Sequence, residues 1–258
     1  MSVSVVIPTR NRAATLSRAI VSAASQNPLE VLVVDDASTD DTPGIVEQLC
    51  GVYSCIRYER HASKSADWQE AMAEFYRTLA GSHVIHMGAD DWLANGVVDS
   101  VNRHPDSAVV FHDYWVANTD GTQIGAVSNG FESVTHMSAA QVCSRLVKYP
   151  YPTETGIGSG MRLDCLRWLE AKQFWRMGPW SDAIGFAAVA ALWGCVFVPG
   201  AGATFTQDDH GYGATNRNSS DSIRYMAECV SFLASSGVPS DAAAALCRKR
   251  GVYACDAI

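Results

Sequence analysis

The stretch SVVIPTRNRAATLSRAIVSAASQNPLEVLVVDDASTDDT, Ser4 to Thr42, decides how this chain is read. Val3 to Ile7 is a run of β-branched and apolar residues that ends at Pro8. Arg12 to Gln26 then places Leu16, Ala19, Ile20 and Ala23 at helical spacing, one face of a 3.6-residue period. Val31 to Val34 is a second apolar run, and Asp35-Asp36 follows it directly. Continuously apolar strands separated by an amphipathic helix predict a parallel sheet covered on both faces. The acidic pair would then stand at the carboxyl ends of the strands, where open α/β sheets bind their ligands.

The pattern continues outward. Thr39 is a candidate cap for a short helix carrying Ile45, Val46 and Leu49. Cys55 to Tyr58 is a weaker third strand, and Asp67 to Leu79 aligns Trp68, Ala71, Met72, Phe75 and Leu79 on a helical face. Val84 to Met87 is a fourth strand, trailed by a second acidic pair, Asp90-Asp91, and Val109 to His112 is a fifth. Beyond it the pattern loosens. Turn residues between Asp113 and Gly130 predict a hairpin, Ser138 to Leu146 a helix, and Pro150 to Gly160 a turn-rich segment. Ile184 to Val198 reads as a buried helix running into a strand, Thr206 to Asn218 as a loop over the site. Two helices close the chain, the first with Ile223, Met226, Val230 and Leu233 on one face, the second from Ser240 to Arg248-Lys249-Arg250. The division expected is one domain over 1–258: a ligand-binding part at 1–115, a less regular part at 116–218, and closing helices at 219–258.

Composition removes several classes. A net charge of -8 gives no sign of the basic face used to grip nucleic acid phosphates. The eight cysteines form no CxxC and no zinc-ligand spacing, so reduced thiols are expected. Ile184 to Val198, the longest apolar stretch, is short of the roughly 20 residues that span a bilayer. With no signal-peptide pattern at MSVSVVIP, the location expected is the cytoplasm. Pro8-Thr9-Arg10-Asn11-Arg12 replaces the glycine-rich turn of dinucleotide-binding folds, and no GxxxxGK[ST] occurs, which disfavours dehydrogenases and P-loop NTPases.

The residues that remain resemble the family-two glycosyltransferases. Ser4 to Thr42 is similar to their opening: a strand ending Pro-Thr, an Asn, a helix ending Ser22-x-x-x-Gln26, then Asp-Asp-x-Ser-x-Asp. DWQEAMAEFYRTLAGSHVIHMGADDWL, Asp67 to Leu93, resembles the block that carries their metal motif. The likeness is strong over about 100 residues and implies a GT-A-type, Rossmann-like, mostly parallel sheet flanked by helices, with an acceptor-binding C-terminal half. It implies an inverting transferase using a nucleotide-sugar, a UDP-sugar above all, with Mn²⁺ or Mg²⁺. Pro8, Thr9, Arg10, Asp36, Lys64 and Asp90 are the implied donor contacts, with Arg60 a further diphosphate candidate. Asp91 is the implied metal ligand, with Asp90 beside it and His210 as an additional contact. Asp182 fits the place of the general base, and a simple helix cap is its plainer reading. Trp175, Trp180 and Tyr151 could floor a sugar ring, although core packing is the blander account of each.

One departure matters: relatives often carry Asp-x-Asp-Asp at the metal site, and here the first carboxylate is Gly88. That leaves room for a nucleotide-sugar binder without catalysis. A nucleotidyltransferase on a related fold is the other rival, weakened by the lack of glycine in PTRNR. The acceptor is an unidentified hydroxyl, a saccharide first and a modified nucleic acid base second.

Overall fold

The computed structural model describes residues 2–66, 68–148, 156–208 and 221–249. Among them the elements are β1 (Val3–Thr9), α1 (Ala13–Ala24), β2 (Glu30–Asp35), α2 (Thr42–Cys50), β3 (Ile56–Arg60), α3 (Trp68–Arg77), β4 (His83–His86), β5 (Trp92–Leu93), α4 (Val97–Asn102), β6 (Val109–Ala117), β7 (Gln123–Val127), β8 (Thr135–Met137), α5 (Ala139–Lys148), β9 (Gly160–Arg162), α6 (Leu163–Ala171), a tight 3₁₀ segment (Phe174–Trp180), α7 (Ser181–Trp193), β10 (Cys195–Thr206), α8 (Ser222–Ser236) and α9 (Ser240–Lys249).

All ten strands join one sheet, ordered β3-β2-β1-β4-β9-β6-β10-β5, with β7 added to β6 and β8 to β10. The first four in this order are parallel, as the apolar runs predict, and β10 runs parallel to β6. The short strands β5, β7, β8 and β9 pair antiparallel. The chain moves from β1 outward through β2 and β3, then returns to the other side of β1 as β4. That reversal opens a crevice at the carboxyl ends of β1 and β4.

Side-chain alternation sorts the strands into two cores. Val3, Val5 and Ile7 of β1 and Val31 and Val33 of β2 face Leu16 and Ile20 of α1 and Val97 of α4. Val6, Leu32 and Val34 face the opposite layer, built from α3, α5, α6, α7, α8 and α9. Leu16 and Ile20 are fully buried, and each such side chain contributes about 2 kcal/mol. Helix α7 is buried almost all round, which is why its sequence shows no polar stripe.

Pro8 lies inside β1 rather than after it. Its missing N–H is tolerated because the pairing with β4 has already stopped at Val6–His86. Two local expectations are corrected. Thr39 does not cap α2: its N–H and hydroxyl turn to Asn11 Oδ1 at 2.8 and 3.4 Å, and the helix starts at Thr42. In α8 the buried face is Tyr225, Cys229, Phe232, Leu233 and Ser236, while Ile223 is 78% exposed. Of the four residues expected on the inner face, Leu233 is buried and Met226 and Val230 pack partly buried against the core, so Ile223 alone is misplaced.

Gly158, at φ +60, fits where a Cβ would stand 2.7 Å from Ala203 N and from Gly202 C. This backbone-to-backbone approach seats the segment before β9 against β10. Nearby, His112 of β6 is buried with Nε2 2.8 Å from Ser100 Oγ of α4. Burial drives its pKa down to about 4 from the ordinary 6.5. The folded state therefore holds a neutral ring, while the unfolded chain takes up a proton below pH 6.5. This contribution is fully present above pH 6.5 and is lost as pH falls towards 4, by up to about 3 kcal/mol. His112→Gln should thus flatten the decline of urea midpoint between pH 6.5 and 4; parallel curves for the two proteins would contradict the assignment.

Candidate active site

Four strand ends assemble the crevice. Asp36 follows β2, and its backbone N–H donates to Thr9 O at 3.0 Å, so the exits of β1 and β2 are tied together. The two acidic neighbours there do different work. Asp35 is completely buried. Its Oδ1 accepts from Ser38 N and Ser38 Oγ at 2.8 and 2.5 Å, and its Oδ2 from Tyr58 Oη at 2.8 Å, with Arg60 Nε at 3.3 Å. It therefore pins the loop after β2. That loop turns at Ala37, held at φ +54, a strained conformation for a residue with a Cβ.

Asp36 Oδ1 accepts from Ser65 N at 2.7 Å and lies 3.2 Å from His61 Nδ1. Arg10 Nη1 donates to Asp36 O at 2.6 Å and sits 3.9 Å from Asp36 Oδ2. Burial works to raise the Asp36 pKa, but the bonds from Ser65 and His61 outweigh it and hold the carboxyl below its usual range. The loop carrying His61 and Ser65 is thus docked on Asp36. Lys64, in the same loop, is exposed. The Arg60 guanidinium is engaged by Asp35 and donates to Ser38 O at 2.8 Å. Thr9 Oγ1 is buried without any hydrogen-bond partner, an orphan at the strand end. Pro8 beside it is partly exposed.

The second acidic pair is held by α1. Along this helix Thr15 Oγ1 donates to Ala89 O at 2.9 Å and Arg18 Nη2 to Asp90 O at 3.0 Å. Ser22 Oγ accepts from Leu93 N at 3.0 Å. Gln26 donates to Ala94 O and accepts from Gly96 N, both at 3.0 Å. Positions 15, 18, 22 and 26 lie on one helical face, so the helix clamps the backbone of the segment from Ala89 to Gly96. From the far side Thr206 Oγ1 donates to Asp90 O at 2.6 Å, and Thr206 N to Asp91 Oδ1 at 2.7 Å.

Asp91 is buried, and its pKa is pushed up to about 7, first by burial and then by the neighbouring charge of Asp90. A Cβ on Gly88 would meet Asp90 Oδ1 at 2.8 Å and Asp91 Oδ2 at 2.9 Å. Both carboxylates therefore converge on the space beside the Gly88 backbone, and a side chain there would require both to shift. This pair fits a hard divalent cation, which takes one or two protein carboxylates together with phosphate oxygens. Among the described residues no group of three His, Cys, Asp or Glu side chains forms a complete cage. His210 and Tyr151 lie outside the described residues.

Asp182 is the second residue of α7, not its cap, and is exposed. Its Oδ1 accepts from Ala183 N at 2.6 Å. Its charge acts on two rings: it adds to the burial that raises the pKa of buried Tyr76, and opposes the burial that lowers that of His86. His86 is the last residue of β4, so the charge of Asp182 is felt at the carboxyl end of that strand. Trp180 is core, and Trp175 packs partly buried against it, so neither is a free sugar platform.

The sequence reading missed Asp208 and Arg12. Arg12 Nη1 lies 3.2 Å from Asp208 Oδ2, and its Nη2 3.5 Å from Asp90 Oδ2. A signal existed, because Asp208-Asp209 is a third acidic pair following an apolar strand.

The sequence profile described as Glycosyl transferase family 2 matches residues 4–166. The chain belongs to that family. It is a glycosyltransferase of the GT-A fold, and solved structures of S. aureus TarS superpose on it. TarS 1-349 matches with a TM-score of 0.70 at 16% identity, over 100% of this chain and 74% of that one. TarS 1-349 in complex with UDP-GlcNAc matches with a TM-score of 0.69 at 18% identity, over 98% and 72%. The complex with UDP gives 0.65 at 18% identity, over 97% and 71%. No curated protein matches the sequence. Identity this low speaks to the fold alone.

The two residues of the first pair should separate experimentally. Asp35→Ala removes from a buried position the acceptor shared by Ser38, Tyr58 and Arg60, and should cost about 3 kcal/mol or more in chemical denaturation. Asp36→Ala should cost less than half of that. Equal losses would show that the two carboxylates share one structural role.

Proposed function

We propose that this glycosyltransferase is inverting, uses a UDP-sugar as donor, and works with Mn²⁺ or Mg²⁺ bound at Asp90 and Asp91. The observation that carries the reading is the convergence of Asp90 Oδ1 and Asp91 Oδ2 on the space above Gly88, at the crevice where β1 and β4 part. Support for the donor comes from TarS, whose structures with UDP-GlcNAc and UDP share this fold. The unpartnered Thr9 Oγ1 and the Asp36 carboxylate, on residues whose backbones are joined across β1 and β2, are the nucleoside contacts, with Arg10 bracing Asp36. Lys64 is free to meet the diphosphate from its exposed loop. Asp91 and Asp90 would hold the cation, with His210 an added ligand, and the cation would neutralise charge developing on the departing diphosphate.

Asp182 takes the proton from the acceptor hydroxyl. The freed oxygen attacks the anomeric carbon from the face opposite the diphosphate, whose bond to that carbon breaks with both electrons leaving on oxygen. One displacement inverts the anomeric centre, and no covalent enzyme intermediate forms. The acceptor is a hydroxyl compound, a saccharide by preference. Asp182 is suited to this task by its exposure and by the reach of its charge to His86 at the end of β4.

A panel of nucleotide-sugars with and without Mn²⁺, read by calorimetry and by slow donor hydrolysis, tests the donor. Cation-dependent binding of a UDP-sugar is the expected result, and no binding by any member would sink the proposal. Asp182→Asn should keep UDP affinity within about twofold and lose about 10²-fold or more in donor turnover. Turnover at the wild-type rate would remove Asp182 as the base.

A further inference from the structure

Arg12 reaches Asp90 and, in the segment after β10, Asp208 together. It precedes α1 directly, with its backbone N–H held by Thr42 Oγ1 at 3.1 Å. Its guanidinium is one-third exposed, with one nitrogen near Asp90 Oδ2 and another near Asp208 Oδ2. Arg18, the other arginine at the pair, is differently placed. Its guanidinium stacks 3.7 Å from the Trp92 ring centre, donates to Asp90 O, and abuts Gly121. Arg18 is therefore packed in place, whereas Arg12 has solvent on one side and two weak, shared ion pairs holding it.

The charges at this point require a counterion. Asp90 turns Oδ1 towards Asp91 and the Gly88 space, and Oδ2 towards Arg12. A cation entering between the carboxylates competes with Arg12 for the same charge. A diphosphate brings strong acceptors that a guanidinium binds well through paired N–H donors.

We propose that Arg12 is an exchangeable counterion that couples cation binding to nucleotide binding. In the free enzyme it partly neutralises Asp90 and weakens the site for a lone cation. When a nucleoside diphosphate arrives with the cation, Arg12 leaves Asp90 for a phosphate oxygen, keeping Asp208 as its second partner. The inference rests on the donor reading above and gives that site an order of preference: cation with nucleotide over cation alone.

The test measures Mn²⁺ alone, by the electron paramagnetic resonance of the free ion, and UDP at saturating Mn²⁺, by calorimetry. Arg12→Gln should bind Mn²⁺ alone about two- to fivefold more tightly than wild type, the scale of one exposed ion pair. It should bind UDP roughly tenfold more weakly. Asp208→Asn, which leaves Arg12 to Asp90 alone, should bind Mn²⁺ no more tightly than wild type. Arg176→Gln removes the same charge beside Glu228 of α8 and should change neither constant. Unchanged Mn²⁺ affinity in Arg12→Gln, unchanged UDP affinity, or an equal gain in Arg176→Gln would each overturn the counterion role. Wild-type protein that binds no UDP would overturn the donor reading and this inference with it. Thermal unfolding of Arg12→Gln, with Arg12→Lys as a second variant keeping the charge, separates loss of fold from loss of the contact.

Discussion

Two like charges held side by side in a buried place are the constraint on which this structure turns. Asp90 and Asp91 point oxygens at one small space, and Asp91 is almost closed to water. Left to itself, such a segment would swing out to solvent. It is prevented from doing so mainly through its backbone. Thr15, Arg18, Ser22 and Gln26 bind successive main-chain groups from one side, and Thr206 binds from the other. Backbone hydrogen bonds, from neutral side chains and from Arg18, thus fix a charged pair whose electrostatic cost a cation would relieve.

The same economy explains the two strand-end pairs. In each, some carboxylate oxygens are held by protein groups and others are less fully engaged. Asp35 meets Ser38, Tyr58 and Arg60, whereas Asp36 keeps an oxygen whose nearest cation is Arg10 at 3.9 Å. Asp91 Oδ1 is taken by Thr206, whereas Oδ2 faces the Gly88 space. Gly88 belongs to this arrangement. Restoring a side chain there would require both neighbouring carboxylates to move.

Much of the fold was legible in the sequence. The apolar runs of β1, β2 and β4 are fully buried strands, and α1 carries its stripe at Leu16, Ala19, Ile20 and Ala23, all buried. The resemblance to family-two glycosyltransferases rested on this half, and the profile match begins there. What was not legible has a common cause. The strands β5, β8 and β9 have two or three residues each, too few for a period to show. On α8 Ile223 was misplaced because it lies outside the core although apolar. Arg60 and Trp180 have the chemistry of site residues, and only packing shows that one serves Asp35 and the other the core.

By itself the sequence determined the alternation of strand and helix, the parallel first sheet half, and the placing of acidic residues at strand exits. These are local properties, set by periods of two and 3.6 residues and by where apolar runs stop. Tertiary structure alone decided which carboxylate oxygens are engaged, that Asp90 and Asp91 converge beside Gly88, and that Arg12 spans Asp90 and Asp208. Those outcomes depend on contacts between residues as far apart as 12 and 208, and such contacts are fixed by the crossover of the chain, not by neighbours in sequence.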